Sequence, residues 1–192
     1  MTVLVRDATS SDLPRIVEIL NEAIANSTAV WSSRPTTLAA RQAWLEERRA
    51  RGFPVLVAEG TGGSVVGVAS FGDFRPWEGY AGTVEHSIYV DAAARRRGTG
   101  ARLLAALIER ARALGLHAMV GGIESGNGAS LRLHEQLGFA ESGRLREVGR
   151  KFDRWLDLVF VLRLLEPRDS PGAFSAGVGT GSAEIMRPNQ RI

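Results

Sequence analysis

One stretch limits the fold of this chain more than any other. Arg95-Arg96-Arg97-Gly98-Thr99-Gly100 stands between a strand-like run, Thr83 to Val90, and an amphipathic helical run, Ala101 to Leu114. In the strand run Val84, His86, Ile88 and Val90 face one way and Glu85, Ser87 and Tyr89 the other. In the helical run Leu103, Leu104, Leu107, Ile108, Ala111 and Leu114 form one apolar stripe, and Gly115 stops it. A strand that passes through two glycines into a helix commits the chain to packed layers of sheet and helix. It also makes the turn a phosphate cradle. Glycine reaches backbone conformations closed to other residues, so successive N–H groups can turn toward one anion. The free N–H groups of the helix's first turn add to that attraction. A solvated basic turn has the same bare pattern; the flanking strand and helix favour the cradle.

The rest of the chain supplies the layers. Thr2 to Arg6 can open a sheet, and Thr9, Ser10 or Ser11 can cap a helix whose Leu13, Ile16, Val17, Leu20, Ala23 and Ile24 share a face, with Pro14 in its first turn. A polar loop carrying Trp31 and Arg34-Pro35 leads to a second helix, Leu38 to Arg51, stopped by Gly52. Pro54 to Glu59 and Ser64 to Phe71 read as a hairpin joined at Gly60-Thr61-Gly62-Gly63. His117 to Ile123 is a strand, Ala129 to Leu137 a helix closed by Gly138, and Phe139 to Glu147 and Trp155 to Leu164 are closing strands. This order predicts an α/β fold with a mixed, mostly antiparallel central sheet and helices on both faces. Residues 1–165 make one domain; in 166–192, prolines and glycines break every period, and a flexible tail is expected.

Composition narrows the chemistry. The chain has no cysteine, which excludes disulfides, thiolate metal sites and a cysteine-linked acyl intermediate. The formal net charge is only +3, and the arginines cluster locally, which suits a small polyanion better than nucleic acid. His86, His117 and His134 lack metal-ligand spacing, so no metal is predicted. The apolar runs fall short of the roughly 20 residues of a membrane span. Arg6 and Asp7 interrupt any secretory leader, so a cytoplasmic protein is expected.

The strand ending in Tyr-Val followed by Arg/Gln-x-x-Gly-x-Gly resembles the acyl-coenzyme A site of the GCN5-related N-acetyltransferases. Asn127-Gly128-Ala129-Ser130-Leu131-Arg132-Leu133-His134-Glu135-Gln136-Leu137-Gly138-Phe139 resembles the other signature of that superfamily. Arg75-Pro76-Trp77-Glu78-Gly79-Tyr80, Thr83-Val84-Glu85-His86-Ser87-Ile88-Tyr89-Val90 and Leu131-Arg132-Leu133-His134-Glu135 are similar to its phosphinothricin and methionine sulfoximine branch. Trp31 and Val84-Glu85-His86-Ser87 look more like the methionine sulfoximine subgroup. The resemblance implies acetyl-CoA as co-substrate, a small amino acid acceptor, transfer in a ternary complex and a homodimer.

Roles for individual residues follow. An α-amino group, with a pKa of about 8, must lose its proton before it attacks. Glu85 is the candidate base, directly or through a water, although its ordinary pKa of about 4.3 makes it weak unless burial raises that value. It can equally be an ion-pair partner on a strand. The resemblance puts His134 where many relatives carry a tyrosine that protonates the leaving thiolate; the neutral ring has one N–H for that purpose if it faces the sulfur. Asn127 either meets an amide of the pantetheine arm or caps the helix that follows it. The family implies that Ile88, Tyr89 and Val90 hold the pantetheine through main-chain groups. Arg95, Arg96, Arg97, Gly98, Thr99, Gly100 and Ala101 are the expected pyrophosphate site, with Ser130 beside the arm. Arg75, with Pro76, Trp77 and Tyr80, is expected to meet the acceptor's carboxylate and polar head through the planar guanidinium fork. Trp31, His86, Ser87 and Lys151 are further candidates for the acceptor site. The reading is an acetyltransferase acting on L-methionine sulfoximine or sulfone, with L-phosphinothricin a weaker acceptor. Acetylation of another amine, a polyamine or protein N-terminus, or an acyl-CoA sensor without turnover, are the alternatives.

Overall fold

The structure is a computed structural model that describes residues 3–165. The tail expected at 166–192 lies outside the described residues. Seven strands form one sheet in the order β1-β2-β3-β4-β5-β7-β6, with β1 Leu4–Asp7, β2 Val55–Glu59, β3 Val65–Asp73, β4 Thr83–Val90, β5 Ala118–Glu124, β6 Ala140–Lys151 and β7 Arg154–Leu164. Every pairing is antiparallel except β4 with β5. That single parallel pair arises because α3, Thr99–Ala113, carries the chain from the end of β4 back to the start of β5. The mixed, mostly antiparallel sheet expected from the sequence is the one observed.

The alternation of β4 sorts its side chains between two apolar layers. Val84, Ile88 and Val90 pack with Leu103, Leu104 and Leu107 of α3. Tyr89 packs on the other face against the layer of α1, Leu13–Asn26, and α2, Leu38–Ala50. Leu103, Leu104 and Leu107 are fully removed from solvent, each worth on the order of 1.5–3 kcal/mol of burial. This rigid packing fixes where α3 begins. The helix starts at Thr99 rather than at Ala101, so the last residues of the basic turn are already its first turn.

Other boundaries also moved outward from the sequence reading. β3 continues through Gly72 and Asp73, and α4 begins at Gly128 instead of Ala129. β6 continues to Lys151 instead of ending at Glu147, because irregularities between Glu141 and Gly143 and between Leu145 and Gly149 let one long strand stay paired with β7. Glu147 is left-handed at such an irregularity, with φ of 54°.

Candidate active site

β4 and β5 pair only from Thr83 to Glu85 and from Ala118 to Val120, and then separate. Beyond that point β3 continues to hold one edge of β4 as far as Val90, while β7 holds β5. The direction of the freed groups follows from backbone alternation. Asp91 N donates to Val66 O at 2.9 Å, and Phe74 N donates to Thr83 O at 3.3 Å, so odd-numbered residues of β4 bond toward β3. Ile88 and Val90 therefore turn their N–H groups into the gap. No sequence signal revealed this parting of the strands.

The gap opens into a groove of about 960 Å³ that runs along Ile88, Tyr89 and Val90, past Arg95, Arg96 and Gly98, and over Thr99, Gly100 and Ala101. The turn is shaped by left-handed residues: Arg96 at φ 58° and Gly98 at φ 79°. Gly98 is the N-cap of α3 and offers no side chain for that role, which leaves the helix's first N–H groups facing the groove. Gly100 is needed for packing, since a Cβ there would come within 3.2 Å of Leu133. Thr99 is buried and its hydroxyl donates to Ala94 O, so it braces the turn. Arg95 lines the groove while donating from Nε to Val90 O and from Nη2 to Glu22. Arg97 is exposed and is not among the residues lining the groove. Across the groove, Asn127 accepts from Ser130 N at 3.1 Å, which makes it the N-cap of α4, Gly128–Gln136.

At the inner end of the groove a smaller pocket of about 200 Å³ is lined by Trp31, Arg75, Glu85, Gly122 and Glu124, among others. Glu85 lines both spaces. Its carboxylate lies over Gly122, whose missing Cβ would stand 3.4 Å from Oε1. It accepts no hydrogen bond among the described residues. Burial raises its pKa above the usual carboxylate value, and the positive charge of Arg75 offsets part of that rise. Arg75 folds over the Phe74 ring at 4.1 Å and donates to Phe74 O. Glu124, not singled out from the sequence, ends β5 with one oxygen held by Gly126 N at 2.8 Å and the other by Thr28 Oγ1 at 2.9 Å.

His134 and His86 form a buried pair with Nε2 atoms 3.1 Å apart. His134 Nδ1 lies 2.7 Å from Ser130 O, which can only accept, so Nδ1 carries the hydrogen. Burial lowers the pKa of both rings and keeps them neutral; for His86, with the neighbouring His134 as a second cause, it falls to about 3. His134 Nε2 is then a bare acceptor for His86 N–H, and His86 Nδ1 is left buried without a partner. The ring space is made by Gly121, where a Cβ would come within 2.7 Å of His86, and by Phe139 packed edge-on against both rings.

The model of the acetyltransferase (GNAT) family matches residues 16–139. A Pseudomonas aeruginosa protein named L-methionine sulfoximine/L-methionine sulfone acetyltransferase is 54% identical over 170 residues, 88% of this chain and 99% of that protein. A phosphinothricin N-acetyltransferase of Streptomyces viridochromogenes is 36% identical over 85% of this chain and 88% of its own length. A solved acetyltransferase from Salmonella typhimurium with its cofactor acetyl-CoA superposes with a TM-score of 0.85 at 45% identity, covering 90% of this chain and 99% of that one.

The chain belongs to the GNAT family of acetyltransferases. Its residues fit the cofactor of that family: N–H groups on β4 that leave the ladder with β5, a left-handed glycine ahead of α3 and a groove that runs from the one to the other.

Several expected acceptor residues of this GNAT chain do not reach the pocket. Trp77 is 63% and Tyr80 42% exposed, and with Pro76 they lie on the surface of the β3–β4 loop, where the Tyr80 ring packs against Trp77 and Phe74. Lys151 is buried, and its ammonium donates to Ile24 O, Ser27 O and Val30 O, so it fastens the loop after α1. Trp31 does line the pocket; its ring lies against Gly149 of β6, and its N–H donates to Thr28 O. Ser87 and His86 both line the groove, as does His134.

Proposed function

We propose that this enzyme acetylates the α-amino group of a small amino acid analogue, with L-methionine sulfoximine or sulfone as the leading acceptor and L-phosphinothricin as a weaker one. The observation that carries the reading is Glu85, a half-buried carboxylate without a hydrogen-bond donor, exposed at once to the groove and to a pocket that holds a cation, Arg75, and a second anion, Glu124. A zwitterion fits that arrangement. Its carboxylate meets the Arg75 fork, and its ammonium lies between Glu85 and Glu124. The printed names of the relatives support the same acceptor class.

Acetyl-CoA supplies an acetyl group activated as a thioester. The turn from Arg95 to Gly100 and the first turn of α3 receive its pyrophosphate, and Ile88 and Val90 N–H groups align its arm. Glu85 takes the proton from the ammonium, and the freed nitrogen attacks the carbonyl carbon. The N–C bond forms as the C–S bond breaks, and the nitrogen gives its second proton to solvent. Because the His134 N–H is committed to Ser130 O, we assign to His134 the bracing of α4's first turn and of His86, and to solvent in the open groove the proton that the thiolate takes. Positioning supplies most of the acceleration, on the order of 7–11 kcal/mol against a factor of roughly 10² to 10⁴ from proton transfer.

Acylating the amine removes the charge by which such an analogue resembles a natural amino acid, so the physiological role is detoxification in the cytoplasm. A homodimer accounts for Leu145, Val148, Phe152 and Trp155, large apolar side chains left exposed along the β6–β7 hairpin. Thiol release from acetyl-CoA over amino-acid analogues, polyamines and peptides tests the assignment. Release with methionine sulfone and none with spermidine is expected. Tight coenzyme binding without release for any amine would make the protein a sensor.

A further inference from the structure

On the face of β4 that carries Ser87 and Tyr89 lies a second cavity, about 400 Å³, enclosed by α1, α2, the loop between them and β3. Leu20, Ile24, Val30, Pro35, Val68 and Ala69 make most of its wall apolar. Trp44, Ser70, Ser87 and Tyr89 line this chamber and the thioester groove alike, so the two spaces meet on β4 two residues past Glu85. Arg75, Glu85 and Glu124 border the acceptor pocket instead. An acyl carbon held beside Ile88 thus has the attacking amine on one side and the chamber on another. An acetyl group needs room for one methyl, whereas this chamber is in the range of about 300–1,000 Å³ that accommodates entire small ligands.

The chamber also holds a cation with no anion to meet it. Arg41 is half-buried; its Nε is buried without a hydrogen-bond partner, and its guanidinium lies over the Trp44 ring, 5.1 Å from the centroid. No carboxylate pairs with it among the described residues. The charged and titratable groups nearby are Arg34 and Tyr89 in the chamber wall and Arg48 one helical stretch further along α2. Burial lowers the pKa of Arg41, and the phenol of Tyr89 is neutral at working pH because burial raises it. Taking part of a guanidinium out of water without a counter-charge costs stability that an apolar side chain would not. The missing partner is an anion, and the apolar walls between Ser87 and Arg41 suit a short methylene chain leading to it.

Building on the acetyl-transfer reading above, we infer that the chamber receives the tail of acyl groups longer than acetyl and that Arg41 binds a carboxylate at the tail's far end, so that ω-carboxyacyl-CoA thioesters are a second class of donor, with succinyl-CoA the probe. The chemistry is that of acetyl transfer. The acceptor nitrogen bonds to the thioester carbonyl, the C–S bond breaks, Glu85 takes the amine proton, the thiolate is protonated by solvent, and the distal carboxylate is unchanged.

The full-length enzyme with methionine sulfone as acceptor is assayed against acetyl-, butyryl- and succinyl-CoA by thiol release and by the mass of the N-acyl product. Succinyl transfer exceeding butyryl transfer is expected. Arg41→Met lowers kcat/KM for succinyl-CoA about tenfold or more and changes that for acetyl-CoA less than about twofold; Arg41→Lys, which keeps the charge without the fork, falls between. Butyryl transfer above succinyl transfer overturns the carboxylate, as does an Arg41→Met loss shared equally by all three donors. Acetyl transfer with neither longer donor overturns the chamber's role and leaves the proposed function standing. Absence of acetyl transfer itself strikes the proposed function instead.

Discussion

Under the proposed function, the three charged residues of the smaller pocket, Glu85, Arg75 and Glu124, divide the work in ways that kinetics can separate. Glu85 has to be ionised to accept a proton, and burial raises its pKa, so the acid limb of the kcat/KM profile should lie above the ordinary glutamate range. Glu85→Gln removes that limb, lowers kcat by about 10² or more and leaves the KM for acetyl-CoA unchanged; a turnover like the wild type's across neutral pH would sink its role as base. Arg75→Ala and Glu124→Gln act on the ground state instead. Each is expected to raise the acceptor KM about tenfold, the first through the carboxylate and the second through the ammonium, with little change in kcat. An acceptor lacking the carboxylate separates them, because it should feel Glu124→Gln and ignore Arg75→Ala. Of these three, Glu85 and Arg75 are singled out by the sequence, since both stand next to features with local meaning, and the structure places both on the pocket wall. Glu124 is not. Its place in the pocket depends on β4 and β5 parting after Glu85 and on Thr28 arriving from the end of α1, contacts that cross almost a hundred positions.

At the scale of elements, what could be read in advance were the units whose signal is local. The strand–turn–helix cradle, the amphipathic stripes and the glycine stops all came through with their boundaries within a few residues. The far end of β6 did not, because its two register irregularities are set by pairing with β7 and not by any turn residue. The β6–β7 hairpin has a functional load. Lys151 on β6 bonds three carbonyl groups around the loop after α1, and Gly149 two residues earlier supports the Trp31 ring. A residue read as an acceptor ligand is thus a fastener, for the geometric reason that all three ammonium donors already have partners. Gly149 has no left-handed φ, so the effect of adding a methyl there is steric alone. A Cβ would stand 2.1 Å from the Trp31 ring and must displace it. Gly149→Ala is therefore expected to raise the acceptor KM about threefold or more while leaving the acetyl-CoA KM unchanged. Equal acceptor constants for the two proteins would show that the indole does not shape the pocket.

At the scale of the molecule, the imidazole pair ties stability to pH. His86 is buried on β4 against the rings of His134 and Phe139, and folding lowers its pKa from 6.5 to about 3. Between those values the unfolded chain binds a proton that the folded chain refuses. Stability from this ring is therefore fully present above about pH 6.5 and declines as pH falls, by about 1.4 kcal/mol per unit. His134, also lowered, adds to the same trend. Other groups do not mimic it. Asp12, held near 2 by Arg6, loses its contribution only below its ordinary value of 3.8, and Glu85, raised by burial, is relieved as it protonates and works in the opposite direction. His86→Phe keeps a ring against Phe139 while removing the titration, so its urea unfolding free energy should fall less steeply than the wild type's between about pH 6.5 and pH 5. The two proteins should differ in slope by up to about 1.4 kcal/mol per unit, whatever the offset that the unpaired His134 nitrogen imposes at neutral pH. Parallel lines would mean that the folded state admits the proton, and with it that the tautomers assigned here to both rings are wrong.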